Sequence, residues 1–352
     1  MKIRAAIIGA SGYSGEELVR LLLRHPRVQI ACVTSRQNSG KKLADVFPKF
    51  ASHPVAQRLK FVEPRLERVL KTLGANPRSA VVFLALPHGV ASEWASPLWN
   101  LGVRVIDLSA DFRLNSAAAY KEFYGQDHPA PRLVGRAVYG LPELYRAKIK
   151  RSRFIASPGC YPTSILVPLI PLLRAKLIQP GGIVANSLSG VSGAGRTVQE
   201  NLLFCECNES VRAYGIPKHR HVPEIEQELS LAAGRRVLIQ FNPHLIPVNR
   251  GILTTVCVQP STKSGNLPAA IARCYERAYG GEPFIRLLTG TAMPDTKNVA
   301  GTNVIEIAHR VDPRTGGIIL LSAEDNLTKG ASGQAVQSMN ILFGFPETSG
   351  LL

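Results

Sequence analysis

The chain has 352 residues, 45% of them hydrophobic and 19% charged, so it is long enough for two domains and too apolar for a disordered or fibrous protein. No stretch approaches the roughly 20 uninterrupted apolar residues that a membrane-spanning helix needs. The formal net charge of +17 points to an anionic partner, but lysine and arginine are scattered along the chain. We therefore expect a small anionic substrate or an acidic protein partner, and neither nucleic acid nor a membrane.

The N-terminus carries a short apolar run that leads into a glycine-rich loop, without the small-residue cleavage site of a signal peptide. We expect a cytoplasmic protein in which the six cysteines are reduced. Cys205 and Cys207 form a C-x-C pair, but no second pair at zinc-ligand spacing accompanies them in the sequence, and we predict no metal site.

Strands and helices alternate in the first half of the chain. Apolar runs predict strands over residues 3–8, 28–34, 80–86, 103–108 and 153–156, and helical spacing predicts helices over 16–24 and 90–100. This alternation is typical of an α/β domain with a Rossmann-type, doubly wound parallel sheet. We assign the domain to residues 1–157.

The second half of the chain has a different pattern. Longer apolar runs predict strands over residues 182–188, 237–242, 251–259, 304–309 and 317–323, with few helices between them. This pattern predicts an α+β domain with a mostly antiparallel sheet, over residues 158–325. Apolar residues at helical spacing predict a final helix over 326–343, which we expect to pack back on the first domain.

A glycine-rich turn follows the first predicted strand and opens the first predicted helix. Its residues are Gly9, Ser11, Gly12, Tyr13, Ser14 and Gly15, with the spacing G-x-x-G-x-x-G. In this setting small residues let a pyrophosphate approach the backbone and the helix N-terminus. Glycines at such a turn also serve tight turning and helix packing. The position after the first strand therefore favours a dinucleotide site.

The end of the second predicted strand indicates which dinucleotide binds. Enzymes that use NAD usually place Asp or Glu there, on the ribose 2′-hydroxyl, but no carboxylate occurs between Gln29 and Ala44. Ser35 and Arg36 stand there instead, and a guanidinium matches the geometry of a 2′-phosphate. We therefore predict NADP (NADPH) as the cofactor.

The sequence around Cys160 suggests a nucleophile. Residues 157–163 read Ser-Pro-Gly-Cys-Tyr-Pro-Thr and lie between a predicted strand and a helix, so Cys160 stands at the helix start. The partial positive charge at a helix N-terminus stabilises a thiolate. A thiolate beside a nicotinamide can form a thioester with an activated acyl group, which hydride then reduces to an aldehyde. Phosphorylating and non-phosphorylating aldehyde dehydrogenases both remain open on these residues.

Seven motifs follow one another over nearly the whole chain: GASGYSG at 9–15, VIDLSADFR at 105–113, YGLPE at 139–143, SPGCYPT at 157–163, SGVSGAGR at 189–196, KHRHVPEI at 218–225 and DNLTKGA at 325–331. Together they resemble the motifs of the N-acetyl-gamma-glutamyl-phosphate reductase family of arginine biosynthesis. The resemblance implies an NADPH-binding Rossmann domain joined to an α+β domain, and a homodimer or homotetramer. It also implies reduction of N-acetyl-gamma-glutamyl phosphate, an acyl phosphate, to N-acetylglutamate semialdehyde.

The resemblance also implies the catalytic residues. Cys160 is the nucleophile, and His219 or His221 is the acid/base that takes the thiol proton and later protonates the hemithioacetal oxygen. Which of the two histidines acts stays open. A metal-binding His-x-His pair is the alternative, but no third ligand candidate stands nearby in the sequence.

Further site residues follow by the same resemblance and by position. Residues expected to hold the substrate's anionic groups are Arg113, Ser189, Gly190 and Arg196. Residues expected to line the nicotinamide crevice are Pro87, His88 and Asn326. Arg113 also follows Asp111 closely, so a structural ion pair is the alternative for that side chain.

Three other functions compete with this interpretation. A related reductase acts on aminoadipyl or glutamyl phosphate carried by a small acidic protein. The positive charge of this chain would suit such a carrier, so a carrier-bound substrate is one alternative. Aspartate-semialdehyde dehydrogenase shares the chemistry. A basic nucleic-acid-binding module is the alternative outside the enzymes, and its affinity would fall as salt is raised.

Overall fold

The computed structural model describes residues 2–74, 76–261 and 265–352 of the chain. The chain divides into two compact units, Met1–Pro158 together with Ala331–Leu352, and Gly159–Gly330. None of the helices within these described ranges is long and apolar enough to cross a membrane.

The first unit is built on a parallel sheet, which confirms the predicted fold class. Its seven described strands follow the order β3-β2-β1-β4-β5-β7-β6, and all their pairings are parallel. The strands are β1 (Ile3–Ile8), β2 (Val28–Thr34), β3 (Phe61–Val62), β4 (Ala80–Leu84), β5 (Arg104–Asp107), β6 (Val138–Tyr139) and β7 (Phe154–Ala156). The helices between them are α1 (Tyr13–Arg24), α2 (Leu43–Val46), α3 (Pro54–Arg58), α4 (Leu66–Leu73), α5 (Ala91–Asn100), α6 (Ala117–Tyr124) and α7 (Pro142–Arg151).

The central strands of this sheet are apolar because they are covered by helices. Every residue of β4 is buried, and β1 exposes only Arg4. Ile8 of β1, Val82 of β4 and Trp94 of α5 belong to one hydrophobic cluster. The strand order reverses between β1 and β4, and the carboxyl ends of strands at such a switch point are where open parallel sheets bind ligands.

The second unit contains a mixed sheet that is mostly antiparallel, as predicted. Its seven described strands follow the order β12-β13-β14-β11-β8-β10-β9; β8 with β10 and β12 with β13 are parallel, and the other four pairings are antiparallel. The strands are β8 (Ile183–Gly190), β9 (Arg212–Ala213), β10 (Ile239–Ile246), β11 (Ile252–Val258), β12 (Ile285–Leu287), β13 (Ile305–Val311) and β14 (Ile318–Glu324). The helices are α8 (Cys160–Arg174), α9 (Phe204–Cys207), α10 (Val222–Ala233), α11 (Leu267–Tyr279) and α12 (Thr296–Val299).

Helix α8 packs on β11 and β14 and is buried over residues 161–173. Two prolines lie inside it, Pro168 and Pro171, and each lacks the N–H that would bond the carbonyl four residues earlier. Each of those carbonyls accepts a bond from a hydroxyl of a neighbouring element: Ser322 Oγ donates to Ser164 O at 2.7 Å and Tyr279 Oη donates to Val167 O at 2.6 Å. Packing partners therefore replace the backbone bonds that the prolines remove.

The last helix, α13 (Gly333–Phe343), belongs to the first unit, where it packs on α1 and α7. The sequence places its start at residue 326, and this start is wrong. Asp325 Oδ1 accepts the N–H groups of Leu327 and Thr328, at 2.8 and 2.9 Å, and so holds a turn. A short π-helical turn follows before regular helix begins.

Candidate active site

Cys160 is the first residue of α8 and is partly exposed, whereas the thirteen residues after it are buried. Gly159 caps the helix in an extended conformation, with φ −70° and ψ 157°. The thiol therefore stands at the positive end of the helix, where a thiolate is favoured. This is the position that the Pro-Gly-Cys sequence predicts.

Gly330 lies against Cys160. A Cβ atom added at Gly330 would lie 2.7 Å from Cys160 Cβ and 2.9 Å from Glu324 Oε1, so no side chain fits there. Glu324 is fully buried, and Gly330 therefore has both Cys160 and the Glu324 carboxylate as close neighbours. Sequence reasoning missed Glu324, because it ends a strand far from Cys160 in the chain and outside the seven motifs.

A second buried carboxylate, Glu224, joins the starts of α8 and α10. Gly159 N–H donates to Glu224 Oε1 at 2.9 Å, and only 1% of Glu224 is exposed. His221 is the N-cap of α10, so this bond holds the histidine segment beside the start of α8. Glu224 lies within the 218–225 motif, but sequence reasoning gave it no role.

The two histidines of this segment have different surroundings. Their ring centres are 5.0 Å apart. His221 N–H donates to His219 Nδ1 at 3.1 Å, so neutral His219 carries its proton on Nε2. Burial, with a smaller contribution from the charge of Arg220, lowers the pKa of His219 to about 4. His219 is therefore a neutral hydrogen-bond donor near pH 7.

Aromatic side chains surround His219. Its ring packs edge-on against Tyr161, Tyr214 and Phe241, with centre distances of 5.6, 5.6 and 5.3 Å. The hydroxyls of Tyr161 and Tyr214 lie 2.8 Å apart, and burial raises the pKa of both groups, to about 12 for Tyr214. Because Tyr161 follows Cys160 in α8, this cluster connects His219 to the nucleophile. Sequence reasoning missed the tyrosine pair, although the place of Tyr161 beside the cysteine was a usable signal.

The residues predicted to bind substrate differ in exposure. Ser189, at the end of β8, is 2% exposed and its Oγ donates to the carbonyl of Gly190 at 3.1 Å. A Cβ at Gly190 would lie 2.8 Å from the backbone of Asn249, so a neighbouring loop requires glycine there. Arg196 is exposed in the segment that follows. Ser189 is therefore buried in β8, whereas Arg196 is exposed in the segment after that strand.

Asn326 was predicted to contact the nicotinamide carboxamide, and the structure shows its bonds within the second unit. It is 2% exposed. Its Oδ1 accepts Gly251 N–H at 2.9 Å, and its Nδ2 donates to Ser192 Oγ at 3.0 Å. The amide therefore joins the residue before β11 to the turn after β8, and the contact with a cofactor stays a prediction.

Arg113 binds the chain segment that leads to Cys160. It is 8% exposed, and its Nε and Nη2 donate to the carbonyls of Ser157 and Leu108, each at 2.8 Å. Ser157 opens the Ser-Pro-Gly-Cys segment. The role predicted for Arg113 in binding an anion stays a prediction beside this observed one.

The glycine loop after β1 shows which glycines the chain itself requires. Gly9 has φ +82°, and a Cβ there would lie 2.3 Å from Ala85 O; a Cβ at Gly15 would lie 2.5 Å from Gly9 O. At Gly12 the nearest atom to a Cβ would be 3.7 Å away, and φ is −76°, which any residue adopts. The fold therefore needs Gly9 and Gly15, whereas Gly12 leaves open space at the start of α1. Such a cradle fits a dinucleotide pyrophosphate.

Two serine hydroxyls connect this loop to the end of β2. Ser11 Oγ and Ser35 Oγ lie 3.0 Å apart, and Asn38 N–H donates to Ser35 Oγ at 3.3 Å. Arg36, the next residue, is exposed. These residues fit a 2′-phosphate, because hydroxyl groups and an exposed guanidinium stand at the strand end where an NAD enzyme carries a carboxylate.

The other predicted cofactor residues lie at the same edge of the first sheet. Tyr13 and Ser14 begin α1, which follows β1. Pro87 and His88 follow β4 and are exposed. Because β1 and β4 are neighbouring parallel strands, both loops stand at adjacent carboxyl ends.

Two of the other thiols, Cys32 and Cys274, are less suited to nucleophilic chemistry. All six cysteines are free, and burial raises the pKa of Cys32 to about 11 and also raises that of Cys274. These two side chains therefore stay protonated near pH 7. Within the part of the chain that the structure describes, no group of three or more His, Cys, Asp or Glu residues is placed to hold a metal ion.

Two family models match the chain. The one described as "Semialdehyde dehydrogenase, NAD binding domain" covers residues 4–152, and "Semialdehyde dehydrogenase, dimerisation domain" covers residues 160–326. N-acetyl-gamma-glutamyl-phosphate reductase of Akkermansia muciniphila is 55% identical over 350 residues, which is 99% of each chain. The chain belongs to the N-acetyl-gamma-glutamyl-phosphate reductase family. Members of that family from Geobacter sulfurreducens and Moorella thermoacetica are 48% and 46% identical, over 99% of this chain and 98% of theirs.

Solved structures share the fold of this family member. Aspartate semialdehyde dehydrogenase II from Vibrio cholerae has a TM-score of 0.72 at 19% identity, over 98% of this chain and 99% of that one. Aspartate semialdehyde dehydrogenase with NADP from Candida albicans has a TM-score of 0.67 at 16% identity, over 97% and 98%. Together with the relatives, they confirm the fold and the resemblance carried by the seven motifs.

Proposed function

We propose that this chain reduces N-acetyl-gamma-glutamyl phosphate to N-acetylglutamate semialdehyde and phosphate, with NADPH, in the cytoplasm. The observation that carries the proposal is Cys160 at the positive end of α8, with a buried carboxylate beside it and the His219 cluster linked to it through Tyr161. The names of the relatives supply the substrate, and the site supplies a nucleophile and a proton donor for it.

The reaction begins at Cys160. Its thiolate attacks the acyl carbon, and as the carbon–sulfur bond forms, the bond from that carbon to the phosphate oxygen breaks and phosphate leaves. NADPH, when bound, supplies hydride to the carbon of the resulting thioester. The carbonyl oxygen gains negative charge in both steps, so a positioned donor lowers both barriers. When the carbon–sulfur bond breaks, the aldehyde leaves and the thiolate returns.

The two histidines have separate roles in this proposal. His219, neutral and protonated on Nε2, donates a hydrogen bond to the thiolate or to the developing oxyanion. It is a poor base, because a second proton would place charge on a buried ring near Arg220 and would remove the bond from His221 N–H. His221 therefore takes the proton of the Cys160 thiol before the attack, and it returns this proton to the thiolate after the aldehyde has left.

Charged and polar side chains hold the two ligands. On the substrate's anionic groups we place Arg113, Ser189, Gly190 and Arg196, since guanidinium and hydroxyl groups match carboxylate and phosphate. On NADPH we place Gly9, Ser11, Gly12, Tyr13, Ser14, Gly15, Ser35, Arg36, Pro87, His88 and Asn326. The open space at Gly12 and the exposed guanidinium of Arg36 support this cofactor assignment.

The sheet of the second unit offers a face for self-association. Helices α8, α10 and α11 pack on the unit's strands, and along the central strands buried residues alternate with partly exposed ones. The partly or fully exposed set includes Val184, Leu188, Leu253, Cys257, Ile319 and Leu321. The matching family model is that of a dimerisation domain. A second copy covers this face in a homodimer or homotetramer, and a monomer in light scattering at micromolar concentration would contradict this.

A reductase assay tests the proposed function. We expect turnover of N-acetyl-gamma-glutamyl phosphate with NADPH, and at most weak turnover of aspartyl phosphate. The net charge of +17 favours one second candidate, a reductase of aminoadipyl or glutamyl phosphate on an acidic carrier protein. Activity only on the carrier-bound acyl phosphate would establish that candidate and refute the free substrate.

A further inference from the structure

Asp111 belongs to the 105–113 motif and has no part in the proposed function so far. It is fully buried in the first unit. Its Oδ1 accepts Gly89 N–H at 2.6 Å and the Tyr120 hydroxyl at 3.1 Å, and its Oδ2 accepts Ser92 N–H at 3.2 Å. One carboxylate therefore binds the loop after β4, the first turn of α5 and a side chain of α6.

We propose that Asp111 is a positioning residue for the cofactor, acting through the loop of residues 87–90. The inference rests on the proposed function, since it takes this loop to line the NADPH site. The loop carries the exposed Pro87 and His88, and it directly follows Leu86. A Cβ at Gly9 would lie 3.2 Å from Leu86 Cδ2, so this chain segment adjoins the glycine loop. Movement of the 87–90 loop would change the shape of the crevice at this edge.

Two features of the loop and of the helix after it make the bonds from Asp111 important. Gly89 has φ +85°, a conformation that side chains disfavour, and Val90, the N-cap residue of α5, supplies no side-chain cap. Asp111 supplies the missing acceptor for the first turn of that helix. An ionised carboxylate offers only acceptors, which matches three donors converging on it.

Asp111 is itself held rigidly. Its N–H donates to Ser109 Oγ at 3.1 Å, and its carbonyl lies 2.5 Å from His128 Nε2. The ring of His128 packs edge-on against Tyr120, at 4.7 Å between centres. The carboxylate is thus a fixed acceptor for the backbone N–H of Gly89.

The test separates cofactor binding from the chemistry at Cys160. Asp111→Asn places an amide donor against backbone donors without changing size, and Gly89→Ala disturbs the same loop independently, because alanine disfavours the φ of +85° found there. Asp312→Asn, which removes a carboxylate from a turn of the second unit, is the matched control. For each variant, NADPH affinity is measured by fluorescence titration, and acylation of Cys160 by mass spectrometry with acyl phosphate and no cofactor.

We expect Asp111→Asn and Gly89→Ala each to weaken NADPH binding at least tenfold, while acylation of Cys160 stays within threefold of the unaltered chain. The control should change neither. The inference is overturned if Asp111→Asn binds NADPH within twofold of the unaltered chain, or if binding and acylation fall together. Failure of the unaltered chain to bind NADPH would instead refute the proposed function, and this inference with it.

Discussion

Proton transfer at Cys160 depends on which imidazole is aimed at the thiol. We expect His221→Asn to slow turnover by roughly 10²–10⁴-fold, the usual contribution of a general acid or base, and His219→Asn to have a smaller effect. The pKa of His219 is about 4, so its titration cannot produce a change in activity between pH 5 and 8. The measurement is alkylation of Cys160 by iodoacetamide against pH, together with turnover, in both variants. A larger loss in His219→Asn would reverse the assignment.

We expect Arg36 to decide the choice between the two nicotinamide cofactors. Replacing it by Asp removes the guanidinium and supplies the carboxylate that NAD enzymes use on the ribose hydroxyl. We expect the kcat/KM ratio of NADPH to NADH to fall at least a hundredfold in Arg36→Asp. Arg58→Asp, an equal change of charge at another exposed position of the first unit, should leave the ratio unchanged. Equal use of NADH and NADPH by the unaltered chain would show that Arg36 has no such role.

The residues around the nucleophile divide into those that local sequence predicts and those that it does not. The place of Cys160 at a helix start follows from Pro-Gly before it and a proline two residues after it. Glu224 and Glu324 reach the site through a helix and a strand that are distant in the chain. A single sequence carries no signal for such contacts, since they arise only when the second sheet and its helices pack.

Helix α8 is the element on which the site is built, and its prolines make it depend on its neighbours. The sequence predicts a helix that runs from Cys160 towards Arg174, although Pro168 and Pro171 would weaken an isolated helix. The structure keeps the helix because hydroxyls of α11 and β14 bind the freed carbonyls. The helix that carries Cys160 therefore depends on tertiary contacts with α11 and β14.

Removal of one of these hydroxyls should destabilise the second unit. Tyr279→Phe leaves the buried Val167 carbonyl without this donor, and we expect the free energy of unfolding to fall by about 1–3 kcal/mol. Tyr145→Phe, at a partly exposed tyrosine of α7, should change it by less than about 0.5 kcal/mol. Chemical denaturation followed by circular dichroism gives both values. Equal stability of the two variants would show that the proline carbonyls need no such partner.

Element types were predictable where periodicity was strong, and element ends were not. The five predicted strands of the first half all exist, because buried parallel strands are continuous apolar runs. The final helix starts later than predicted, because the side chain of Asp325 competes for the backbone N–H groups that would have opened it. The parallel pairing of β8 with β10 was also unpredictable, since pairing depends on contacts between segments and not on their pattern.

Two arginines of the first unit, Arg4 and Arg153, lie at the amino ends of its strands. Arg4 lies in β1 and donates to Thr72 O at 3.0 Å in the last turn of α4. Arg153 precedes β7, and its guanidinium lies 4.6 Å from the ring centre of Trp99, near the end of α5. Helix C-termini carry partial negative charge, so cations are stabilising there. These positions look scattered in the sequence because a parallel sheet brings distant segments together.

Stability of the whole molecule should depend on pH through Asp107. Complete burial, with a further contribution from Asp111, raises its pKa to about 7. Because the folded pKa lies above the unfolded value of about 3.9, the contribution of Asp107 is fully present below pH 3.9 and is lost as pH rises towards 7. Asp107→Asn has the shape of the protonated carboxyl and cannot ionise. We therefore expect its free energy of unfolding at pH 8 to be higher than that of the unaltered chain by on the order of 2 kcal/mol. At pH 4 the two should differ little. Thermal unfolding against pH checks this; a gain independent of pH would contradict it.

Formation of a thioester on Cys160 can be followed by mass spectrometry. The unaltered chain and Cys160→Ser are mixed with N-acetyl-gamma-glutamyl phosphate without cofactor, analysed by peptide mass spectrometry, and then treated with NADPH. We expect an acyl adduct on Cys160 alone, its disappearance on addition of NADPH with release of the semialdehyde, and no adduct in the serine variant. Cys257→Ser, at an exposed cysteine, should behave as the unaltered chain does. An adduct on another residue, or reduction of the acyl phosphate by Cys160→Ser, would contradict the account.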